Sequence, residues 1–325
     1  MNVKNLLGIL IFFCLVVFGI MYNDNKVRKF KFSYSVVFDK TDGKKFEAWV
    51  PYPQSNQVQI VSNVLIDTKL NYEILDESDH GNKYIYLYDY DGLSKDVEFE
   101  LSCTVARQEH SNINYSGINQ NQYLQQSMQV PVGRVFSNII SENNLSADNM
   151  RNVYDYVLNS MHYGKPTDDR SSKNYKYIHG GKNPNTGQEW LSDDITYGRK
   201  KITKDELVKS QKKNEKYAYG NGNSLYACNI GVGNCTDYHS YFISLSRTLN
   251  VPARFYMGFP IPEGDGGKVG GYHCWADYYI DGEGWYPIDI SEADKNPVRS
   301  DYFFGTVCQN RVEFMTGRDF DLKNY

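Results

Sequence analysis

At 325 residues the chain is long enough for two domains, and 41% hydrophobic with 23% charged residues describes a folded globular protein rather than a disordered one. A net charge of −4 excludes the electrostatic footprint of a nucleic-acid binder. Its 28 tyrosines suit half-buried strand faces, where the ring packs and the hydroxyl meets water.

The first 29 residues stand apart. Lys4 precedes an apolar run over 6–20, closed by Asn23, Asp24 and Asn25. That run fits a secretory signal or a short membrane anchor, and Cys14 within it reads as apolar filling. Lys26, Arg28, Lys29 and Lys31 outnumber Lys4, so a literal positive-inside count puts the following domain in the cytoplasm. An export signal ahead of a long domain prevails over that count, and an extracytoplasmic domain is the expectation. Five cysteines remain, an odd number that implies a free thiol and no disulfide framework.

From 30 to 110 the period is two. Phe30, Phe32, Tyr34, Val36 and Phe38 share one strand face, Tyr84, Tyr86, Tyr88 and Tyr90 another, and Val97, Phe99, Leu101, Cys103 and Val105 a third. Segments 47–50 and 58–66 add strands, with turns at Asp42-Gly43 and Asp91-Gly92. Short alternating strands without helices predict an antiparallel sandwich. Residues 111–130, rich in Asn and Gln, read as a linker. Met150, Val153, Tyr154, Val157, Leu158 and Met161 then mark an amphipathic helix. The stretch 164–223 is long and irregular, with one helical candidate over 204–213, and reads as a functional loop or a mobile insertion.

Chemistry concentrates after it. In GNCTDYHSYFISLSRTLNVPARF, Asn234 is a favoured N-cap, Asp237 suits the helix dipole, and Tyr238, Phe242, Leu245 and Leu249 keep helical spacing. Asn250 and Pro252 stop the helix. Cys235 is thereby placed at the first helical position, where unpaired amides favour thiolate, the nucleophilic form. A buried cysteine that only fills space is the alternative.

After a strand over 254–259 and a glycine-rich loop over 264–271, YHCWADYYI, a turn and WYPIDI read as a β-hairpin bearing His273 and Asp289. A three-residue loop over 281–283, pairing Ile280 with Gly284, puts His273 and Asp289 on one face within side-chain reach. An even-length loop separates them. Cys235, His273 and Asp289 then supply nucleophile, base and orienting acid. Four neighbours read as structural: His239 as a satisfied core histidine, Cys274 as a core residue on the strand face opposite His273, and Trp275 and Trp285 as packing for the hairpin. Arg254 reads as half of a structural ion pair. The set Cys228, Cys235, His239 and His273 matches no compact zinc motif, and neither a metal nor a cofactor is expected.

GNCTDYHSYF, NVPARF, GYHCWADYYI and GWYPIDISEA resemble the core signatures of the transglutaminase-like superfamily, with similarity running over 219–319. The resemblance implies a papain-like α+β fold, a Cys-bearing helix packed on a small antiparallel sheet, preceded by an all-β sandwich-like domain. It places the family's nucleophile, base and acid on Cys235, His273 and Asp289. The crosslinking members use an upstream tryptophan at the oxyanion. Trp190 is the candidate here, with the Cys235 amide the favoured donor. The implied organisation is 1–29 signal peptide or anchor, 30–110 β-sandwich-like domain, 111–130 linker and 131–325 transglutaminase-like catalytic domain. The expected activity is thiol acyl transfer on amide bonds of a protein or peptide substrate, hydrolysis favoured over crosslinking. A non-catalytic, membrane-anchored scaffold of the same fold is the alternative.

Overall fold

The computed structural model describes residues 26–164, 196–212 and 219–325. The apolar run near the N-terminus, Trp190 and most of the 164–223 stretch lie outside them. No helix among the described residues is long and apolar enough to cross a membrane.

Six strands build the N-terminal part: β1 (Val27–Phe38), β2 (Phe46–Tyr52), β3 (Gln59–Thr68), β4 (Asn71–Asp76), β5 (Lys83–Asp89) and β6 (Val97–Gln108). They form two antiparallel three-stranded sheets, ordered β1-β6-β3 and β2-β5-β4. Phe32, Phe99, Leu101 and Val105 meet Ile85 and Leu87 in the core between them. Strand β4 has no counterpart in the sequence reading.

The tyrosine face of β5 points away from that core. The chain's last residues cover it: Lys323 N–H donates to the Tyr84 hydroxyl, and the Trp49 indole donates to the Lys323 carbonyl. Both faces of β5 are therefore occupied, which is why Tyr84 and Tyr86 are buried rather than half exposed.

The C-terminal part contains α1 (Val135–Glu142), α2 (Met150–Ser160), β7 (His162–Tyr163), α3 (Lys204–Lys212), α4 (Ser224–Ile230), β8 (Val232–Gly233), α5 (Cys235–Thr248), β9 (Ala253–Pro260), β10 (His273–Ile280), β11 (Gly284–Ile288), α6 (Ile290–Lys295), α7 (Ser300–Phe303) and β12 (Arg311–Thr316). Its antiparallel sheet is ordered β11-β10-β9-β12. The buried helix α5 lies on one face, where Tyr238, Phe242 and Leu245 join Phe255, Cys274, Ala276 and Ile288 in one core. Residues 111–130 run along this sheet. Ile113 exchanges both backbone hydrogen bonds with Trp285, and a 3₁₀ turn over Gln120–Leu124 buries Tyr123.

The opposite face of the sheet is polar and aromatic. Arg254 on β9 faces Asp277 on β10, with Nε 3.0 Å from Oδ1 and Nη2 2.5 Å from Oδ2, and the Tyr256 hydroxyl donates to Oδ2 at 2.8 Å. The guanidinium lies 3.8 Å from the centre of a Trp285 ring and 4.8 Å from that of Tyr115. The structural ion pair expected for Arg254 is therefore present, within an aromatic enclosure. Arg107 of β6 pairs with Glu313 of β12 at 3.2 Å, and Val312, Phe314 and Met315 complete the sandwich core. The two parts share one buried boundary.

Gly258 sits opposite His273 on β10 and Glu313 on β12. A Cβ there would meet the Val312 carbonyl oxygen at 1.9 Å, and backbone cannot yield as a side-chain tip can. Gly258→Ala is expected to open the β9–β12 pairing and cost about 2 kcal/mol or more, read as a lowered thermal midpoint.

Candidate active site

Helix α5 begins as its sequence dictates. Asn234 Oδ1 accepts from the amides of Thr236 at 2.9 Å and Asp237 at 3.4 Å, while Asp237 Oδ2 accepts from the Asn234 amide at 3.1 Å, a closed capping box. Asp237 also accepts from the amides of Gly220 at 2.9 Å and Gly222 at 3.0 Å, which ties that incoming segment to the helix start. Burial pushes the Asp237 carboxyl up to about 7 despite these donors. Gly233 leaves room for it, since a Cβ there would lie 2.6 Å from the Asp237 Cβ.

Cys235 follows as the first helical residue, buried at 3% exposure. The hairpin behind it has the odd-length register: Ile280 pairs with Gly284, and Gly282 occupies the left-handed region at φ 76°. The ladder ends at Ala276–Ile288, one step short of Trp275 and Asp289. From there Asp289 Oδ2 reaches His273 Nε2 at 2.7 Å, both groups buried. Cys235 lies near enough to raise the His273 pKa, on a ring whose Nε2 is already committed to Asp289.

Asp289 is held on both oxygens. Oδ1 accepts from the Glu292 amide and the Ser291 hydroxyl, each at 3.0 Å, and so caps α6. Oδ2 faces His273 and, at 2.6 Å, the Arg311 guanidinium of β12. Although burial opposes its ionisation, His273 and Arg311 hold Asp289 well below the usual carboxylate range. Burial alone would lower His273, yet Asp289 and then Cys235 raise it to about 9. The Cys274 thiol, then His273, hold Cys235 well below the usual thiol range against burial. The lowered Cys235 and the raised His273 both favour a thiolate beside an imidazolium, the arrangement a thiol nucleophile needs.

His239 does not join this pair. Its Nδ1 donates to the Cys235 carbonyl at 2.7 Å and its Nε2 accepts from the Ile290 amide at 3.2 Å, so the neutral ring is fully satisfied. Burial lowers its pKa accordingly. It is the satisfied core histidine expected, and it ties the starts of α5 and α6 together.

Two contributors escaped the sequence reading. Arg311 has no role in that reading, and the return of β12 to the sheet brings it to Asp289. Cys274 is a core residue as expected, fully buried and turned toward α5. Because β10 starts beside the first turn of α5, that same orientation puts its thiol against Cys235. The Thr236 hydroxyl lies 3.4 Å from Cys274 Sγ. Cys274→Ala is expected to shift the acid limb of Cys235 alkylation by iodoacetamide to higher pH, whereas Cys274→Ser keeps a donor and the wild-type limb. No group of three or more His, Cys, Asp or Glu among the described residues could hold a metal ion.

A helix-borne cysteine facing a His–Asp pair on antiparallel strands, with helices packed around it, defines a papain-like α+β fold. Residues 177–290 match the family model of the transglutaminase-like superfamily. An uncharacterized protein of Haemophilus influenzae is 31% identical over 136 residues, covering 32% of this chain and 37% of the relative's length. Among solved structures, a candidate cysteine protease from Cytophaga hutchinsonii superposes with a TM-score of 0.55 at 13% identity, covering 90% of this chain and 83% of that one. The periplasmic domain of TgpA from Pseudomonas aeruginosa, bound to ethylmercury, gives a TM-score of 0.37 at 14% identity, covering 86% and 78%.

Proposed function

We propose that the protein is a thiol acyl-transfer enzyme acting on amide bonds, with hydrolysis the favoured outcome over crosslinking. The observation that carries this reading is the buried 2.7 Å contact between His273 and Asp289, with Cys235 at a capped helix start near the same histidine. The Cys235 thiolate attacks the substrate carbonyl, forming a carbon–sulfur bond and a tetrahedral oxyanion. The Cys235 amide, at the first turn of α5, is the donor placed for that oxyanion. Collapse breaks the carbon–nitrogen bond as His273 gives its proton to the leaving amine, and Asp289 keeps the ring in place. Neutral His273 then takes a proton from water or an incoming amine, which releases the acyl group and restores the thiolate. The substrate is a protein or peptide, and the apolar segment ahead of residue 26 would hold the enzyme at the extracytoplasmic side of a membrane.

The test is a screen of peptide and carboxamide substrates for ammonia release and amine incorporation, wild type against Cys235→Ala. Hydrolysis by wild type, lost in the variant, is expected. Equal turnover by both proteins removes Cys235 from the mechanism, and amine incorporation exceeding hydrolysis reverses the order of outcomes.

A further inference from the structure

A groove of about 1090 Å³ runs between β1 and the glycine-rich segment 264–271. One wall is the consecutive run from Arg28 to Ser35. Neighbouring strand residues point to opposite faces, so a wall made of all of them is the strand's edge. Among the described residues that edge is unpaired: β1 is the outer strand of its sheet and pairs with β6 alone. Eight residues present about 24 Å of main-chain donors and acceptors. Phe259 and Ile261 also line it, as does Gly271, which precedes His273 by two residues in the chain.

The far wall sets Pro262, Asp265, Lys268 and Val269 among glycines. Added Cβ atoms at Gly266 and Gly271 would meet nothing within 4 Å, and their φ angles lie outside the left-handed region. Neither packing nor turn geometry among the described residues requires glycine at those two positions. Their lack of side chains keeps backbone open to whatever occupies the groove.

The charge is one-sided. Arg28, Lys29, Lys31 and Lys268 line the groove against a single carboxylate, Asp265. Arg28 is fixed there by neutral acceptors, Asn310 Oδ1 at 2.8 Å and the Gly264 carbonyl at 2.6 Å, so its charge is not cancelled. Lys29 and Lys31 stand on the solvent face of the edge strand. A second copy of β1 would bring the same lysines opposite these, which disfavours self-pairing.

We propose that this groove binds an extended peptide rich in Asp and Glu as an added strand on β1, and that this acidic peptide is the substrate delivered to Cys235. Main-chain hydrogen bonds to the edge supply affinity, and the four cations select the side chains. The delivery step rests on the acyl-transfer reading, whereas binding does not.

The test uses the full-length protein carrying Cys235→Ala and a fluorescein-labelled decapeptide of alternating Glu and Val, read by fluorescence anisotropy. Saturable binding that weakens with salt is expected, and Lys29→Glu/Lys31→Glu, both exposed and so harmless to folding, should weaken it by at least about tenfold. Of two peptides N-methylated on alternate residues, the one whose modified amides face β1 should lose binding and the other keep it. Equal binding of the Lys/Val peptide, indifference to both methylation patterns, or binding only to phosphatidylglycerol vesicles overturns the proposal. Because the thiol is absent from this assay, an enzyme inert on amides that still binds the peptide removes only the acyl-transfer reading.

Discussion

Asp289→Asn should lower turnover of an amide substrate by roughly 10³- to 10⁴-fold, the scale seen when the carboxylate of a nucleophile–histidine–acid set is neutralised. Both oxygens of Asp289 accept: Oδ1 from Glu292 and Ser291, Oδ2 from His273, with Arg311 alongside. An amide has one accepting oxygen, so asparagine serves either the helix cap or the histidine. If its NH₂ faces His273, the ring must present a bare Nε2 and carry its proton on the Cys235 side, the wrong tautomer for a base. Removing the charge also withdraws what raises His273 to about 9, so the alkaline limb of the pH–rate profile should move down. The stability contribution follows the same sign. A folded pKa of about 9 above an unfolded value near 6.5 gives stability fully present below 6.5 and lost as pH rises through 9, and the variant should lack that window. Arg311 is meanwhile left buried without its carboxylate, at a cost of about 3–5 kcal/mol. Adding Arg311→Met should restore much of the melting temperature and none of the activity. Wild-type turnover in Asp289→Asn would remove the carboxylate from the mechanism.

What was legible beforehand was local chemistry read through a period. The cap of α5 is written in Asn234 and Asp237, and the hairpin register follows from asking which loop length puts His273 and Asp289 on one face. Gly282 is the residue able to make that turn at φ 76°. Alternation likewise placed Cys274 opposite His273, but it carries no information about where along the strand the facing helix begins. Since α5 begins at Cys235 over the first residues of β10, a core position became a contact to the sulfur. Arg311 was illegible for a different reason: its partner lies across the sheet, and no local pattern marks a charge buried by a strand that returns late in the chain. The tyrosines of β5 were read as half exposed because their cover, the last three residues, has no periodicity of its own.

Asp277→Ala should be among the most destabilising single changes outside the Cys235 surroundings, although Asp277 touches none of the reacting groups. The carboxylate takes two hydrogen bonds from Arg254 and one from Tyr256, and all three residues are buried. Burial disfavours the charge on Arg254, and Asp277 more than offsets this. Without Asp277, the guanidinium keeps only the faces of Trp285, Tyr115, Tyr256 and Tyr123, whose quadrupoles contribute about 2 kcal/mol where water is excluded, less than a buried carboxylate. The expected loss is about 3–5 kcal/mol, a fall in melting temperature of roughly 10 °C. Arg254→Met should cost less, because Asp277 keeps the Tyr256 hydroxyl and can take up a proton. The double variant Arg254→Met/Asp277→Leu should recover most of the loss, since it removes the buried charges together. The pair also sits between Trp285 and the Tyr256–Trp275 stack, and Trp275 in turn stacks under His273 at 6.3 Å between ring centres. Asp277→Ala should therefore slow turnover even at temperatures where the protein remains folded, whereas the double variant, which refills the layer, should not. Thermal melts and rates measured side by side on the three variants decide this, and a melting temperature unchanged in Asp277→Ala would mean that the aromatic enclosure alone suffices to hold Arg254.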